Sequence, residues 1–338
     1  MGNRLFGLLP PAGAGTKRKE WVDALRALAM FLVIYGHLVQ GWTPYFVFTS
    51  PVKICMFFAI SGYVFKYGRV REKDFYLNLL RKIVVPWLVL SMAPYALLIP
   101  FRGFAGFGNR FVRVITGETT WYMPCCIIAE IIWHYQNRFL KKDWMLALSS
   151  LAFFALGLFL GKRGILDVCM INRAMTAQAY LLIGGLYRKH EESLLRRLGK
   201  PLVLGAGAGL YVLLGVLTLL LYPGQAMDVH THKYYNLLIC GAMIVLGILI
   251  LFMAAGKYMR KCPRVIALVG QNTLVIYLWN GFVISAVNFL SRKTGIPYKG
   301  IFSSLITAIA ACLACTLAAL ILKKIVPELF GLKRHRAG

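Results

Sequence analysis

Residues 237–255 read LLICGAMIVLGILILFMAA, an unbroken run without a single charged side chain. A helix of this length is about 28 Å long, close to the thickness of the hydrocarbon core of a bilayer. A scan outward from this run, which lies within a span near 234–255, finds nine further apolar segments near 21–41, 46–65, 83–99, 121–137, 144–160, 174–187, 202–222, 266–290 and 301–322. The fourth and sixth segments are shorter or more polar than the rest. The sequence therefore predicts an all-α bundle of about ten membrane-spanning helices.

The composition agrees with a protein whose solvent is largely lipid. Of 338 residues, 59% are hydrophobic and only 15% are charged, whereas a soluble domain has about 25% charged residues. The net charge of +27 would suggest a nucleic-acid partner in a soluble protein. Here the basic residues form short clusters between apolar runs, so they indicate membrane topology and no nucleic-acid binding.

Lysine and arginine are distributed unevenly between alternate connections. The two tails and the loops near 66–82, 138–143, 188–200 and 257–264 hold 27 of the 39 basic residues, and the other loops hold 10. Because basic loops stay in the cytoplasm, both termini are expected there. We expect a cytoplasmic tail at 1–20 without a cleavable signal peptide, a membrane domain at 21–322 and a basic cytoplasmic tail at 323–338.

The cysteine and glycine patterns predict helix packing and neither a redox site nor a nucleotide-binding loop. Six of the eight cysteines lie in apolar runs, where a thiol behaves as a small hydrophobe, and the Cys312/Cys315 pair lacks the context of a redox motif. Gly205, Gly207 and Gly209 are expected to allow a close helix contact.

The first span carries three ionisable residues, Asp23, Arg26 and His37. Eleven residues separate Arg26 from His37, so both lie on one helix face about 16 Å apart, and Asp23 shares that face three residues before Arg26. A charge inside a membrane helix costs about 3 kcal/mol on insertion scales, which favours a functional role. The alternative is that Asp23 and Arg26 reach the interface and that His37 is a satisfied polar residue.

Other polar residues have a functional and a plain interpretation. Lys53 and Ser61 lie in the second span, and both would contact a ligand in the functional interpretation. In the plain interpretation Lys53 reaches the membrane interface and Ser61 is a small residue at a helix contact. Arg81 and Lys82 open the third span and would suit the phosphates of a nucleotide, although basic clusters also simply fix topology.

The remaining candidates lie toward the middle of the chain. Trp121 and Tyr122 open the fourth span and would form an aromatic belt or a platform for a sugar. Glu130 and His134 share a helix face but lack a third metal ligand, and the 228–232 loop with its two histidines is expected to be solvated. No metal site is predicted.

Taken in order, these segments resemble the acyltransferase-3 superfamily of integral membrane O-acyltransferases, and within it the fucose 4-O-acetylase-like branch. The resemblance covers about residues 20–320. Its motifs are an Arg followed eleven positions later by a His, an aromatic pair leading to Ser-Gly-aromatic, a basic pair followed by Pro, a Trp-aromatic helix start and a Gly-x-Asn-Ser-Leu-x-Ile-Tyr segment. They are matched by Arg26 and His37, Phe57–Tyr63, Arg81–Pro86, Trp121–Tyr122 and Gly270–Tyr277.

Two positions depart from the family pattern. Lys53 stands where the branch usually has a histidine, and Asn280 stands where the family often has another. Both changes bear more on the identity of the sugar than on the chemistry.

The resemblance implies transfer of an acyl group, most often acetyl from acetyl-CoA, to a hydroxyl of a carbohydrate or lipid-linked glycan. It implies a multi-pass protein of a bacterial plasma membrane, with acyl-CoA as a co-substrate and no bound cofactor. His37 is then expected to act as general base, helped by Arg26 and Asp23. The expected donor site is Arg81, Lys82 and Ser61, and the expected acceptor site is Lys53, Trp121 and Tyr122. The alternatives are a transporter or flippase for a glycolipid or small anion, and an inactive assembly subunit.

Overall fold

The computed structural model describes residues 19–39, 41–65, 71–96, 99, 103–104, 106–259, 261–295 and 300–332. Within these ranges the chain is helical except for loops and one isolated β-bridge, between Asp228 and Lys233. The all-α prediction is therefore confirmed. Most of the two predicted tails, residues 1–18 and 333–338, and residues 66–70 of the first basic loop lie outside the described residues.

The helices are numbered here in chain order. They are α1 Glu20–Leu38, α2 Thr43–Val64, α3 Glu72–Ala96, α4 Phe107–Ile115, α5 Tyr122–Phe139, α6 Asp143–Lys162, α7 Ile171–Thr176, α8 Gln178–Leu198, α9 Pro201–Leu221, α10 Leu237–Tyr258, α11 Arg264–Gln271, α12 Thr273–Thr294 and α13 Ile301–Ile325. Helix α3 contains a wider π-helical turn at Leu80–Val84.

Among the described residues, eight helices are long and apolar enough to cross a membrane, namely α1, α2, α3, α6, α9, α10, α12 and α13. They account for eight of the ten predicted spans. The two segments that fall short, 121–137 and 174–187, form α5 and the α7–α8 region. Polar side chains interrupt both: α5 contains Glu130 and His134, and α8 ends in a charged half.

Helix α5 packs beside α2 and runs in the same direction. The ring of Tyr122, at the start of α5, lies 5.0 Å from that of Phe58, and the ring of Trp133, three turns later, lies 6.5 Å from that of Phe65. Trp133 is fully buried. Glu130 and His134, which make α5 less apolar than the other long helices, are thus buried inside the bundle.

Helix α8 also runs along α2 in the same direction, at very close range. A Cβ atom on Gly184 would stand 1.7 Å from the carbonyl oxygen of Ala59, so only glycine allows this contact. One turn later Arg188 donates a hydrogen bond of 3.1 Å to the carbonyl of Tyr63. Helices α2, α5 and α8 therefore form the centre of the bundle.

The predicted close contact at Gly205, Gly207 and Gly209 is wrong for this chain. Cβ atoms on Gly205 and Gly209 would have no neighbour within 4 Å, and one on Gly207 would meet only the Ile250 side chain. Helix α9 is a peripheral helix with mostly exposed residues, and of these three glycines only Gly207 faces a neighbouring helix, through the Ile250 side chain of α10.

The basic loops gather at one end of the bundle. Lys19 pairs with Glu191 at 2.6 Å, and Lys257 donates to the carbonyl of Gly199 at 2.7 Å. This is called the basic end. The opposite end carries the end of α1 and the loop closed by the Asp228 bridge, and is called the hairpin end.

Candidate active site

A large cavity opens at the hairpin end, where α1, α4, α12 and the start of α13 meet. Its volume is about 1010 Å³ and its lining includes His37, Trp42, Tyr95, Arg110, Thr119, Trp121, Tyr277, Asn280, Ser285, Asn288 and Ser304. It is called the vestibule. The hydroxyl of Tyr35 donates to the carbonyl of Ile301 at 3.3 Å and so ties α1 to α13 beside it.

His37 projects into the vestibule from the last turn of α1. Its side chain is exposed there, and no hydrogen bond to its imidazole forms among the described residues. Preceding residues of α1, such as Ile34 and Gly36, are buried. The helix thus turns one ionisable group toward a cavity while the rest of its end is packed, which leaves the imidazole free to exchange a proton with a ligand.

Asp23 and Arg26 lie at the other end of α1 and do not line the vestibule. Nη1 of Arg26 is 3.6 Å from Oδ1 of Asp23, and both side chains are buried. Gln271 donates to Oδ2 of Asp23 at 3.4 Å, and a Cβ on Gly270 would stand 1.9 Å from the backbone oxygen of Asp23. Helix α11 therefore seals this pair into the protein.

Trp121 and Tyr122 are neighbours in sequence but face different surroundings. Trp121 lines the vestibule, whereas Tyr122 is only 3% exposed. Its ring packs on Phe57 and Phe58, and its backbone N–H donates to the hydroxyl of Tyr277 at 3.3 Å. Tyr122 supports the wall of the vestibule and offers no open face to a ligand.

The predicted donor residues lie away from the vestibule. Arg81 and Lys82 belong to the π-helical turn of α3, where Arg81 is exposed and Lys82 is partly buried. Ser61 is buried in α2. None of the three lines the cavity that contains His37.

Lys53 is separated from the vestibule as well. It lines a second cavity at the hairpin end, with its Nζ 4.5 Å from the ring centre of Phe46. A Cβ on Gly36 would stand 3.3 Å from that Nζ. Lys53 thus lies next to the end of α1 but opens to the opposite side from His37 and Trp121.

The vestibule also contains Arg110, which the sequence did not single out, and Asn280, which it singled out only as a departure from the family pattern. Arg110 places its guanidinium 4.4 Å from the ring centre of Tyr95, and its buried Nε has no hydrogen-bond partner among the described residues. Asn280 and Asn288 line the cavity from α12. They stand eight residues apart in an apolar span, with Ile284 midway between them. This spacing places all three on one helix face, which is the pattern that could have predicted a shared lining.

The alternative metal sites receive no structural support. Within the described ranges, no three His, Cys, Asp or Glu side chains come together as a metal-binding group. The imidazole of His134 stacks on Phe75 with ring centres 4.0 Å apart, and Glu130 is buried.

Comparison with protein families agrees with the motifs and the helical architecture. The acyltransferase 3 family model, described as an acyltransferase domain, matches residues 19–324. No curated protein and no solved structure matches the chain. Since the match covers most of the chain, which is also a multi-pass bundle with eight candidate spans, the protein belongs to the acyltransferase 3 family and is a membrane-bound O-acyltransferase.

Proposed function

We propose that the enzyme transfers an acyl group, most simply acetyl, from acyl-CoA to a hydroxyl of a carbohydrate, with His37 as general base. The observation that carries the proposal is the free imidazole of His37 in a vestibule lined by an indole, a guanidinium and several amide and hydroxyl groups. Such a lining suits a polyol, because aromatic faces cover apolar sugar surfaces while amides and hydroxyls exchange hydrogen bonds with its hydroxyls.

The topology proposal retains ten spans with both termini in the cytoplasm of a bacterial cell. Helices α5 and α8 support it, because both run beside α2 through the centre of the bundle. The basic loops at one end support the orientation. In this arrangement the basic end faces the cytoplasm, and the vestibule opens to the outside, where a surface glycan or lipid-linked sugar would enter.

The reaction assigns a separate task to each end of α1. The acceptor hydroxyl attacks the thioester carbonyl as His37 takes its proton; the C–O bond forms, the C–S bond breaks, and the CoA thiolate leaves and is protonated. Imidazole suits this step because it titrates near neutrality. Arg26, held by Asp23, would orient the donor, because it lies three helical turns from His37 and so out of reach of the carbonyl that is attacked.

The donor and acceptor assignments follow the two ends of the bundle. Arg81 and Lys82 would bind the phosphates of CoA at the cytoplasmic side, with Ser61 beside the path of the acyl arm. Trp121 would stack on the acceptor sugar, and Tyr122 would hold the helix end that presents it. No bound cofactor is required.

Thiol release from labelled acetyl-CoA by the purified protein tests this proposal. We expect release to be stimulated by a glycan and the label to appear on that glycan by mass spectrometry. Tight binding of a glycolipid with no label transfer would instead favour the flippase alternative. Comparison of surface glycans from cells with and without the gene identifies the acceptor, since the missing acyl group marks it.

A further inference from the structure

The second cavity at the hairpin end is not used by the proposed reaction. Its volume is about 960 Å³, and it lies between α2, the end of α6 and the 224–235 loop. Its lining residues and those of the vestibule do not overlap. The two cavities are thus lined by different residues.

The 224–235 loop that lines this cavity is well fixed. Asp228 and Lys233 exchange two backbone hydrogen bonds of 2.9 Å, and the Asp228 carboxylate accepts from the N–H of His230 at 3.0 Å and the hydroxyl of Thr231 at 2.7 Å. Nε of Arg173 donates to the carbonyl of His230 at 2.6 Å. A wall with this many bonds keeps its shape before a ligand arrives, which lowers the cost of binding.

The charge of the cavity lining is positive. Lys53, Lys162 and Lys233 line it together with one acid, Asp228. Both carboxylate oxygens of Asp228 are already engaged in the hairpin turn. Among the described residues, Nζ of Lys53 forms no ion pair or hydrogen bond and contacts only aromatic rings. Asp228 attracts this ammonium without forming an ion pair with it, so an anion in the cavity would supply the direct partner that Lys53 lacks.

A buried imidazole in the same lining also lacks partners. His232 is 4% exposed, and neither of its ring nitrogens has a hydrogen-bond partner in the described part of the chain. Burial and the nearby Arg173 lower its pKa to about 4, so the ring is neutral at pH 7. Both ring nitrogens are shielded, and a Cβ on Gly161 would stand 2.3 Å from Nε2, so the ring packs against α6 and shapes the cavity wall without offering a hydrogen bond to a ligand.

We propose that this cavity is a second ligand site, which binds a phosphate ester through the ammonium of Lys53, with Lys162 and Lys233 in the same lining. A phosphate offers several strong acceptor oxygens, and lysine binds it as a point charge. Phe46 and Ile54, which also line the cavity, suit an apolar group attached to the phosphate. The proposal is independent of the acyl-transfer mechanism, since it uses no residue of the vestibule.

Two sources present this chemistry, a phospholipid headgroup and a soluble phosphate ester. Full-length protein purified in dodecyl maltoside, a detergent without phosphate, can be titrated with glycerol 3-phosphate and, separately, with phosphatidylglycerol in mixed micelles, and binding followed by calorimetry. Binding of phosphatidylglycerol alone assigns the site to a lipid headgroup. Binding of glycerol 3-phosphate assigns it to soluble esters. No binding of either probe would overturn the proposal.

Variants connect the binding to this cavity. Lys53→Met should weaken the affinity for the active probe about 10- to 100-fold, the value of a charge-assisted hydrogen bond, and Lys53→Arg should restore most of it. The matched control is Lys293→Met, which removes a lysine from the end of α12 that stacks on Phe289 outside the cavity. Its affinity should equal that of wild type.

Wild-type affinity in folded Lys53→Met protein would contradict the proposal, as would equal losses in both methionine variants. If Lys53→Met does not fold, Lys162→Met replaces it, because Lys162 is exposed at the rim of the same cavity. It should weaken binding by several-fold, and unchanged affinity in that variant would count against the site.

Discussion

The buried pair of Asp23 and Arg26 allows structural and catalytic roles to be separated. At 3.6 Å, two unit charges attract by about 5 kcal/mol at an effective dielectric constant near 20. Asp23→Asn keeps the size of the side chain but leaves the buried guanidinium without this carboxylate, which costs about 3–5 kcal/mol. The melting temperature of the purified variant should therefore fall by many degrees. The double variant Asp23→Asn/Arg26→Met removes both charges and should regain most of the lost stability.

The activity of the double variant decides the role of Arg26. If Arg26 takes part in the reaction by orienting the donor, the double variant should remain about 10²- to 10³-fold less active even where its stability is restored. If the pair is purely structural, activity should return with stability. The matched control is Asp74→Asn, which breaks a pair of the same spacing with Arg71 on the surface and should cost at most about 1 kcal/mol. Wild-type stability in Asp23→Asn, or a double variant as unstable as the single one, would refute the burial argument.

Three further predictions follow from the two ends of the bundle. Reporter fusions in the 188–200 loop should read cytoplasmic and those in the 223–233 loop external, and the reverse result would exclude the charge-based orientation. Arg81→Ala should raise the KM for the CoA donor more than the KM for the acceptor, because a lost phosphate contact weakens ground-state binding; a change confined to the acceptor KM would move the donor site elsewhere. Trp121→Ala should raise the acceptor KM about 5- to 10-fold with little change in melting temperature, whereas Tyr122→Ala should lower the melting temperature because it empties a buried site. Equal stability losses in this adjacent pair would remove Trp121 from the acceptor site.

Much of the fold could be predicted because lipid imposes strong rules on a sequence. A run such as 237–255 has no other stable arrangement than a helix, and eight predicted spans reappear as long apolar helices. The segments 121–137 and 174–187 were harder to assign as spans, because they are less apolar. Their polar residues are tolerated because these segments pack against α2, which composition alone does not show. Close contacts were predicted only in part: the small-residue notch in α2 is confirmed at Gly62, which lies against Leu181, but the glycines of α9 were misjudged, and the tight contacts at Gly184 and Gly270 were not foreseen.

Contacts in the candidate site could be predicted only between residues whose spacing along one helix makes them neighbours. Asp23 and Arg26 meet because residues three apart on a helix share a face. Trp121 and Tyr122 could not be told apart, since which of two adjacent residues is buried depends on α2. Arg110 was counted only as a loop charge, because its position over Tyr95 depends on how α4 folds back against α3.

The central claim, that His37 is the general base, is tested most directly by turnover and melting temperature of His37→Ala on one preparation. The account predicts a fall in kcat of about 10²- to 10⁴-fold with an unchanged melting temperature, because His37 lies exposed in the vestibule and forms no hydrogen bond among the described residues. The control His190→Ala removes an exposed histidine at the basic end and should keep wild-type turnover. Near-normal turnover by well-folded His37→Ala protein would contradict the claim.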